Sequence, residues 1–352
     1  MKKIGILTSG GDAPGMNDAI VAVTRAAAKR GMELVGFVRG YQGVLMQKSP
    51  EEDMIPLTVE RELDIQGTPG TYLRTARCLE FIDPEVRREA AAKMRAQGIE
   101  ALVVIGGDGS YQGAFGLHRL GFPVVGIPGT IDNDLAYTDQ TLGFDSAVNS
   151  VITAVRDIRA CSRAIDRLHI VECMGRHCGD ISLYAAAATH AEAVVVPEHE
   201  WSVDELAERM KKQIAIGNYR ATVILAEGAW DSMAPFDLQA FEAEMKAKGV
   251  KFELDRGNVM HSDYLARILS IKCGLQTRAT VLGYTQRGPV PTFRDSEFAF
   301  EAGNLAVELL DKNVSGQAIG IRRGHVFHMD LEDALAYPRF FDKELYEMIN
   351  TL

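Results

Sequence analysis

The sequence predicts a mainly parallel α/β fold with helices on both faces of the sheet, and three observations carry that prediction. Short apolar runs of strand length alternate with helix-like segments over most of the chain. Several of these runs end in turns rich in glycine, hydroxyls and carboxylates, the fullest being Pro128-Gly129-Thr130-Ile131-Asp132-Asn133-Asp134. In open α/β sheets such strand ends are where ligands bind. The chain of 352 residues, 47% of them hydrophobic, suffices for one large or two ordinary domains, and two lobes are expected.

The candidate strands, in order, are Lys3 to Leu7, Leu34 to Val38, Ala101 to Ile105, Phe122 to Ile127, His169 to Cys173, Ala193 to Val196, Thr222 to Leu225 and Thr280 to Leu282. Helices fall between them. The one expected from Pro84 to Gln97 shows the signals: Asp83 to cap it, Pro84 at its first position and Gly98 to end it. No internal repeat, low-complexity segment or Pro/Gly-rich linker appears, so the lobes are expected to be joined by several crossings of the chain. The segment from Ala229 to Gln276 is the least legible. It has helix-favouring patterns at Asp237 to Lys248 and Asp263 to Ile271 and reads as an insertion between two functional strands.

A formal net charge of -10 argues against a nucleic-acid or anionic-membrane surface, while leaving room for a local basic pocket. The five cysteines, Cys78, Cys161, Cys173, Cys178 and Cys273, are irregularly spaced without a CxxC pair, as expected of reduced cytosolic thiols. The apolar segment after Met1-Lys2-Lys3 ends at Ser9-Gly10-Gly11-Asp12, too short for a signal peptide, and no apolar run is long enough to span a bilayer. A cytoplasmic protein is expected.

The turn Thr8-Ser9-Gly10-Gly11-Asp12-Ala13-Pro14-Gly15-Met16-Asn17 links a strand to a helix that Asn17 is placed to cap. Its glycines would let the backbone approach a phosphate at a helix N-terminus, or make a tight turn and nothing more. Gly106-Gly107-Asp108-Gly109-Ser110 repeats the design and adds Asp108, which either caps the following helix or holds Mg²⁺ on phosphates. With Asp132 and Asp134 on the next turn, the set suggests phosphoryl transfer, one turn holding phosphates and metal while the other activates a hydroxyl. Neither glycine turn has the P-loop ending or the full dinucleotide fingerprint. Arginines would then replace the P-loop lysine, with candidates at Arg77, Arg167, Arg176, Arg278 and Arg287, several of them at strand ends. His177 and Cys178 have no further ligands at metal-binding spacing and are assigned to helix-start packing. His261, Trp201 and Trp230 are assigned no role.

Together these segments resemble the phosphofructokinases, specifically the bacterial ATP-dependent type. Seven segments match in the same order: Thr8 to Asn17, Gly70 to Arg77, Gly106 to Ser110, Pro128 to Asp134, Met174 to Asp180, Glu227-Gly228 and Arg278 to Gly288. The resemblance implies two Rossmann-like three-layer α/β/α domains with mainly parallel sheets and an active site in the cleft between them. The larger, ATP-binding domain would comprise residues 1-143 plus about 286-336. The smaller, sugar-phosphate domain would comprise 144-285 plus 337-352.

The same resemblance implies transfer of the γ-phosphate of ATP to the 1-hydroxyl of fructose 6-phosphate, with Asp132 as base and Thr130, Arg77 and Arg176 stabilising the phosphoryl group. Asp108, helped by Asp134, would hold Mg²⁺. Gly11, Tyr41, Arg77, Gly107, Asp108, Gly109 and Ser110 would bind ATP. Met174, Gly175, Arg176 and Glu227 would line the sugar, together with Thr130 and Asp132, and Arg287 would reach its 6-phosphate. Arg167 and Arg278 would enter the sugar-phosphate site of a neighbouring subunit of a homotetramer.

Two departures matter. The family generally has histidine where this chain has Tyr284, expected to contact the 6-phosphate, and tyrosine brings no imidazolium charge. Another ketose phosphate therefore stands as an alternative substrate. In the effector site Arg25, Arg159 and Glu192 match, but Val21 and Asn218 replace cations, so weak or altered regulation by ADP or phosphoenolpyruvate is expected. Pyrophosphate-dependent relatives usually carry aspartate at the position of Gly109 and lysine at that of Gly129, so the glycines here favour ATP. A silent nucleotide sensor would be expected to lack the carboxylates, and a NAD-dependent oxidoreductase would have no task for Asp132 and Asp134.

Overall fold

The computed structural model describes residues 1–162 and 164–351. The chain divides into two compact units, residues 1–147 with 287–340, and 148–286 with 341–352.

The first unit holds a seven-stranded sheet. Its strands are β1 (Lys3–Ser9), β2 (Glu33–Phe37), β3 (Met54–Leu57), β4 (Ala101–Gly106), β5 (Val124–Pro128), β10 (Gln317–Arg322) and β11 (His325–Asp330), in the order β11-β10-β5-β4-β1-β2-β3. The five inner strands are parallel, while β3 and β11 pair antiparallel at the edges. Both faces are covered, which is why β1 and β4 read as unbroken apolar runs. Leu7, Leu102 and Val104 face a core shared with Ala90, Met94, Tyr111 and Leu117 of the helices Pro84–Ala96 and Asp108–Arg119. The helices Met16–Lys29 and Phe293–Asp311 pack against each other so closely that a Cβ on Gly303 would lie 2.6 Å from that of Ala22.

The second unit has a four-stranded, all-parallel sheet in the order β7-β8-β6-β9: β6 (Leu168–Cys173), β7 (Ala193–Val195), β8 (Thr222–Ala226) and β9 (Thr277–Val281). One core packs Leu206 and Met210, Phe241 and Met245, and Leu265 and Leu269 from the helices Val203–Ala215, Leu238–Ala247 and Ser262–Cys273. The helices Asp180–Thr189 and Lys343–Thr351 contact β7.

All eight expected strands are present, with ends that coincide or shift by up to three residues. The helix at Pro84 starts as expected, Asp83 accepting from the Glu85 N–H at 2.8 Å. Asn17 does not cap its helix. Gly15, at φ 89°, occupies the N-cap, and Asn17 instead ties down a neighbouring loop, donating to Thr68 Oγ1 at 2.9 Å and accepting from the Tyr72 N–H at 2.7 Å. Among the described residues no helix is long and apolar enough to cross a membrane.

Candidate active site

In the first unit β1, β4 and β5 lie side by side in matched register, Ser9 opposite Gly106 and Gly106 opposite Pro128. Their C-terminal ends therefore release the turns Gly10–Asp12, Gly107–Ser110 and Gly129–Asp134 at one sheet edge. Strand order also reverses between β1 and β4, the place where doubly wound sheets bind ligands.

The close approach of the turns explains their glycines. A Cβ on Gly106 would fall 2.4 Å from Ser110 Oγ and 2.5 Å from the Ser9 carbonyl. One on Gly129 would fall 2.7 Å from Ile105, so no larger residue fits there without movement. Gly109 is different: it is exposed, and a Cβ there would meet nothing within 4 Å. Asp108 is the first residue of its helix, with Gly107 at the N-cap, and no side chain caps it. Of the two tasks the sequence left open for Asp108, capping is thus removed.

The carboxylate turn is held from several sides. Thr130 Oγ1 accepts from the Asp132 N–H at 3.2 Å, and Asn133 takes a left-handed conformation, φ 54°. The Thr141 hydroxyl donates to the Thr130 carbonyl at 2.7 Å, and its N–H donates to Asn133 Oδ1 at 3.0 Å. The next segment is anchored by the buried Asp295, which accepts from the Gly143 and Ser146 N–H groups, each at 2.8 Å, and from the Ser146 hydroxyl. Sequence reading missed Thr141 and Asp295, which touch the turn's supports and bear no motif of their own.

Asp134 Oδ1 is buried without a hydrogen-bond partner. Burial first, and then the charge of Asp132 with a smaller effect from Asp108, raises its carboxyl above the usual carboxylate range. Three carboxylates that repel one another, one with an orphaned oxygen, suit a cation. Among the described residues no three His, Cys, Asp or Glu side chains form a metal cage. The donor set therefore fits a hard ion that keeps most of its waters and takes one or two carboxylates, as Mg²⁺ does.

Two of the expected ligand residues have hydrogen-bond partners within the protein. Tyr41 is buried, its ring stacked on Phe81 at 4.1 Å and its hydroxyl donating to the Ser110 carbonyl at 2.6 Å. It braces the second turn. Arg287 lies on the first glycine turn, donating to the Asp12 carbonyl at 2.7 Å, with its Nη1 2.5 Å from where a Gly11 Cβ would be. Arg77 is exposed beyond a loop that Thr8 holds by donating to the Arg74 carbonyl at 3.0 Å.

In the second unit Met174, Gly175 and Arg176 follow the C-terminal end of β6, and Glu227-Gly228 follows that of β8, its neighbour in the sheet. The Gly228 N–H donates to the Gly175 carbonyl at 3.1 Å, and Gly175 has φ 130°. The Met174 N–H donates to Gln286 Oε1 at 3.1 Å, joining the third motif of this unit to the same end. Tyr284, two residues before Gln286, is 81% exposed.

Arg167 and Arg278 are at the other end of this sheet. Arg167 precedes β6 and is held by Gln276 at 2.8 Å, while Arg278 pairs with His169 at the start of β6. The length of β6 separates them from Arg176, roughly 20 Å at about 3.3 Å per residue.

A mainly parallel α/β unit with glycine-rich turns beside three carboxylates, together with a second, all-parallel unit, marks a phosphotransferase of the doubly wound class. The sequence matches the family described as phosphofructokinase over residues 3–310. The chain belongs to the phosphofructokinase family. It is 44% identical over 352 residues to the ATP-dependent 6-phosphofructokinase 1 of Clostridium perfringens, covering 100% of this chain and 99% of the other. The same identity and coverage hold for the ATP-dependent 6-phosphofructokinase of Clostridioides difficile. Among solved structures, the phosphofructokinase of Saccharomyces cerevisiae superposes with a TM-score of 0.80 at 32% identity, over 96% of this chain. The chain spans 45% of that yeast chain.

Proposed function

We propose that the protein phosphorylates fructose 6-phosphate at its 1-hydroxyl with MgATP, giving fructose 1,6-bisphosphate and ADP. The observation that carries this reading is the register of β1, β4 and β5, which brings the glycine turns and the carboxylate turn to one edge. The names of the full-length relatives support ATP as donor, and the open space at Gly109 is consistent with a nucleotide's longer phosphate chain.

Asp132 accepts the proton of the 1-hydroxyl as its oxygen bonds to the γ-phosphorus and the bond to the β–γ bridging oxygen breaks. Thr130, Arg77 and Arg176 stabilise charge on the transferring group, where positioning and neutralisation supply most of the catalysis. Asp108 and Asp134 would hold Mg²⁺, which neutralises phosphate charge when bound. The glycine turns and Ser110 take the ATP phosphates, braced by Tyr41. Met174, Gly175, Arg176 and Glu227 hold the sugar, with Arg287 and Tyr284 toward the 6-phosphate. Arg167 and Arg278, a strand's length from Arg176, serve a neighbouring subunit's site in a homotetramer. A cytoplasmic location accords with the cysteine usage.

The test is the initial rate of fructose 1,6-bisphosphate formation with MgATP or Mg-pyrophosphate, with Asp132→Asn as control. Activity with MgATP alone, reduced at least about a hundredfold in the variant, is expected from loss of a general base. Equal rates from the variant, or a preference for pyrophosphate, would overturn the reading.

A further inference from the structure

The second unit holds a cleft that the proposed reaction does not use. Its volume is about 900 Å³, within the range of roughly 300–1,000 Å³ typical of small-molecule sites. It runs between the helices Val203–Ala215 and Lys343–Thr351, over β7, the edge strand of this unit's sheet. Arg159, Glu192 and Asn218, the residues matched to the effector site, form no part of its walls.

The floor is apolar. Val194, Trp201, Leu206 and Tyr346 are buried there, while Ile216 lines the cleft with an exposed side chain. The polar groups of Trp201 and Val194 are used within the fold. Trp201 Nε1 donates to the Ala229 carbonyl at 2.7 Å. The Asn350 side chain donates to the Val194 carbonyl at 3.0 Å and accepts from the Val194 N–H at 3.1 Å. That pair of bonds closes the outer edge of β7, so an extended peptide cannot bind here by adding a strand.

Charge on the walls is unevenly compensated. Asp204 pairs with Lys272 at 2.7 Å, Glu208 with Lys211 at 2.7 Å and Glu347 with Lys343 at 3.5 Å, while Glu205 accepts from the Ser202 hydroxyl at 3.0 Å. Glu200, which is exposed, is the remaining carboxylate. The cations Arg209 and Lys212 are different: neither side chain has a hydrogen bond or ion pair among the described residues. They stand three residues apart on one helix and so share a face. Arg209 is half-buried, and its Nη1 is fully buried without a partner. Burial also pulls the guanidinium down from its ordinary pKa, as a charge that the fold leaves uncompensated requires.

We propose that this cleft binds a small monocarboxylate with an apolar body, the chemistry of a medium-chain fatty acid. The floor takes the apolar body, and the guanidinium, whose forked donors match a carboxylate, takes the head. A neutral apolar ligand would leave the buried charge of Arg209 as it is. A cationic ligand would meet two unpaired cations. A phosphate dianion would bring a second negative charge beside the five carboxylates of the walls, which a monoanion does not. The inference is independent of the phosphoryl-transfer reading, since every residue it uses lies outside that site.

The chain has two tryptophans, Trp201 on the wall and Trp230 with its ring centre 5.9 Å from that of Trp201, so tryptophan emission reports on this cleft. The experiment follows that emission in the assembled protein during titration with octanoate below its micellar concentration, with octanol and octylamine as neutral and cationic counterparts. The parent is compared with Arg209→Gln, Lys212→Gln and Arg25→Gln, each checked by a thermal melt. A saturable change with octanoate is expected, with affinity at least about tenfold weaker for octanol and octylamine and in Arg209→Gln, from loss of a charged hydrogen bond. Arg25→Gln should bind as the parent does. Should Arg209→Gln not fold, Lys212→Gln decides in its place, because its exposed side chain can be replaced without disturbing the core; a loss of about threefold is expected there, as for a solvent-screened charge. Absence of a saturable change, equal binding of octanol, or an affinity for octanoate unmoved in the deciding variant overturns the proposal. Binding lost in Arg25→Gln and untouched in Arg209→Gln would also overturn it, by assigning octanoate to the effector site.

Discussion

Gly228 is the position where adding one carbon should separate activity from folding. A Cβ there would lie 1.9 Å from the carbonyl oxygen and 2.6 Å from the carbonyl carbon of Arg176. Real Cβ contacts stay beyond 3.0 Å, so the two backbones must part by at least 1.1 Å, the difference of 3.0 and 1.9. The backbone that moves carries Arg176 on one side and Glu227 on the other. A misplacement of about 1 Å at a positioning group costs on the order of a hundredfold in rate, or ~2.7 kcal/mol of transition-state stabilisation. The strain of one extra carbon in a packed site costs about 1–3 kcal/mol of stability, which leaves most domains folded. Gly228→Ala is therefore expected to lose about two orders of magnitude in kcat/KM for fructose 6-phosphate while keeping a cooperative melt. The assay is coupled kinetics over a range of fructose 6-phosphate, with a thermal melt on the same sample. A folded variant within about threefold of the parent would mean that Arg176 is not held by this contact, or is not needed where it stands.

Gly109→Asp places a carboxylate in open space, so its melting temperature should stay near the parent's while KM for ATP rises; an unchanged KM would remove Gly109 from the phosphate path. Asp134 has a raised pKa, from burial first and then from the charges of Asp132 and Asp108. The stability its protonated form contributes is present below the unfolded carboxylate pKa and lost as pH rises through the raised folded value. Asp134→Asn should therefore melt higher than the parent at neutral pH without divalent cations, and show no gain in acid. Added Mg²⁺ should stabilise the parent more than the variant, and a lower neutral-pH melt of the variant without cations would refute the argument. Regulation should be weak because the cations at the expected effector-site positions are internally paired. Arg25 bonds to the buried Glu62, and Arg159 bonds to Glu192 at 3.0 Å, which also accepts from Asn218 at 2.9 Å and the Thr222 N–H at 2.7 Å. Hyperbolic saturation by fructose 6-phosphate, unmoved by ADP or phosphoenolpyruvate, is expected; sigmoidal kinetics relieved by ADP would contradict it.

The strands that position the site were legible because they are buried on both faces, so each is a short apolar run closed by glycine. The strands missed were those without that signature. β3 is a four-residue antiparallel edge containing Pro56, and β11, His-Val-Phe-His-Met-Asp, is half exposed on the opposite edge. β10, beside β11, is interrupted by Gly320. Within the site, residue types that carry charge or bend a turn could be found from sequence, whereas residues whose task is a contact could not. Asn17 has the chemistry of a cap and is used as a clamp on residues 68–72 because Gly15 already turns the chain into the helix. Tyr41 falls at a matched position, yet its depth under Phe81 decides its task, and no local pattern encodes that depth. Gly228 is one glycine among 33, distinguished only by what lies 1.9 Å from the carbon it lacks.

Asp295 and Asp134 show how the fold accommodates a functional cost. Both carboxyls have pKa values raised chiefly by burial. Asp295 is surrounded by donors from Gly143 and Ser146, so its charge is compensated and it fixes the segment that holds Thr141. Asp134 keeps one oxygen without a donor beside two like charges. If stability alone shaped this corner, a donor would be expected for that oxygen or an apolar residue in place of the carboxylate. The segment anchored by Asp295 instead holds the turn through Thr141, whose bonds end on Thr130 and Asn133, on either side of Ile131-Asp132. The rigidity supplied from one compensated carboxylate thus keeps Asp134 and its like-charged neighbours close together, as the proposed site for a cation and a phosphate requires.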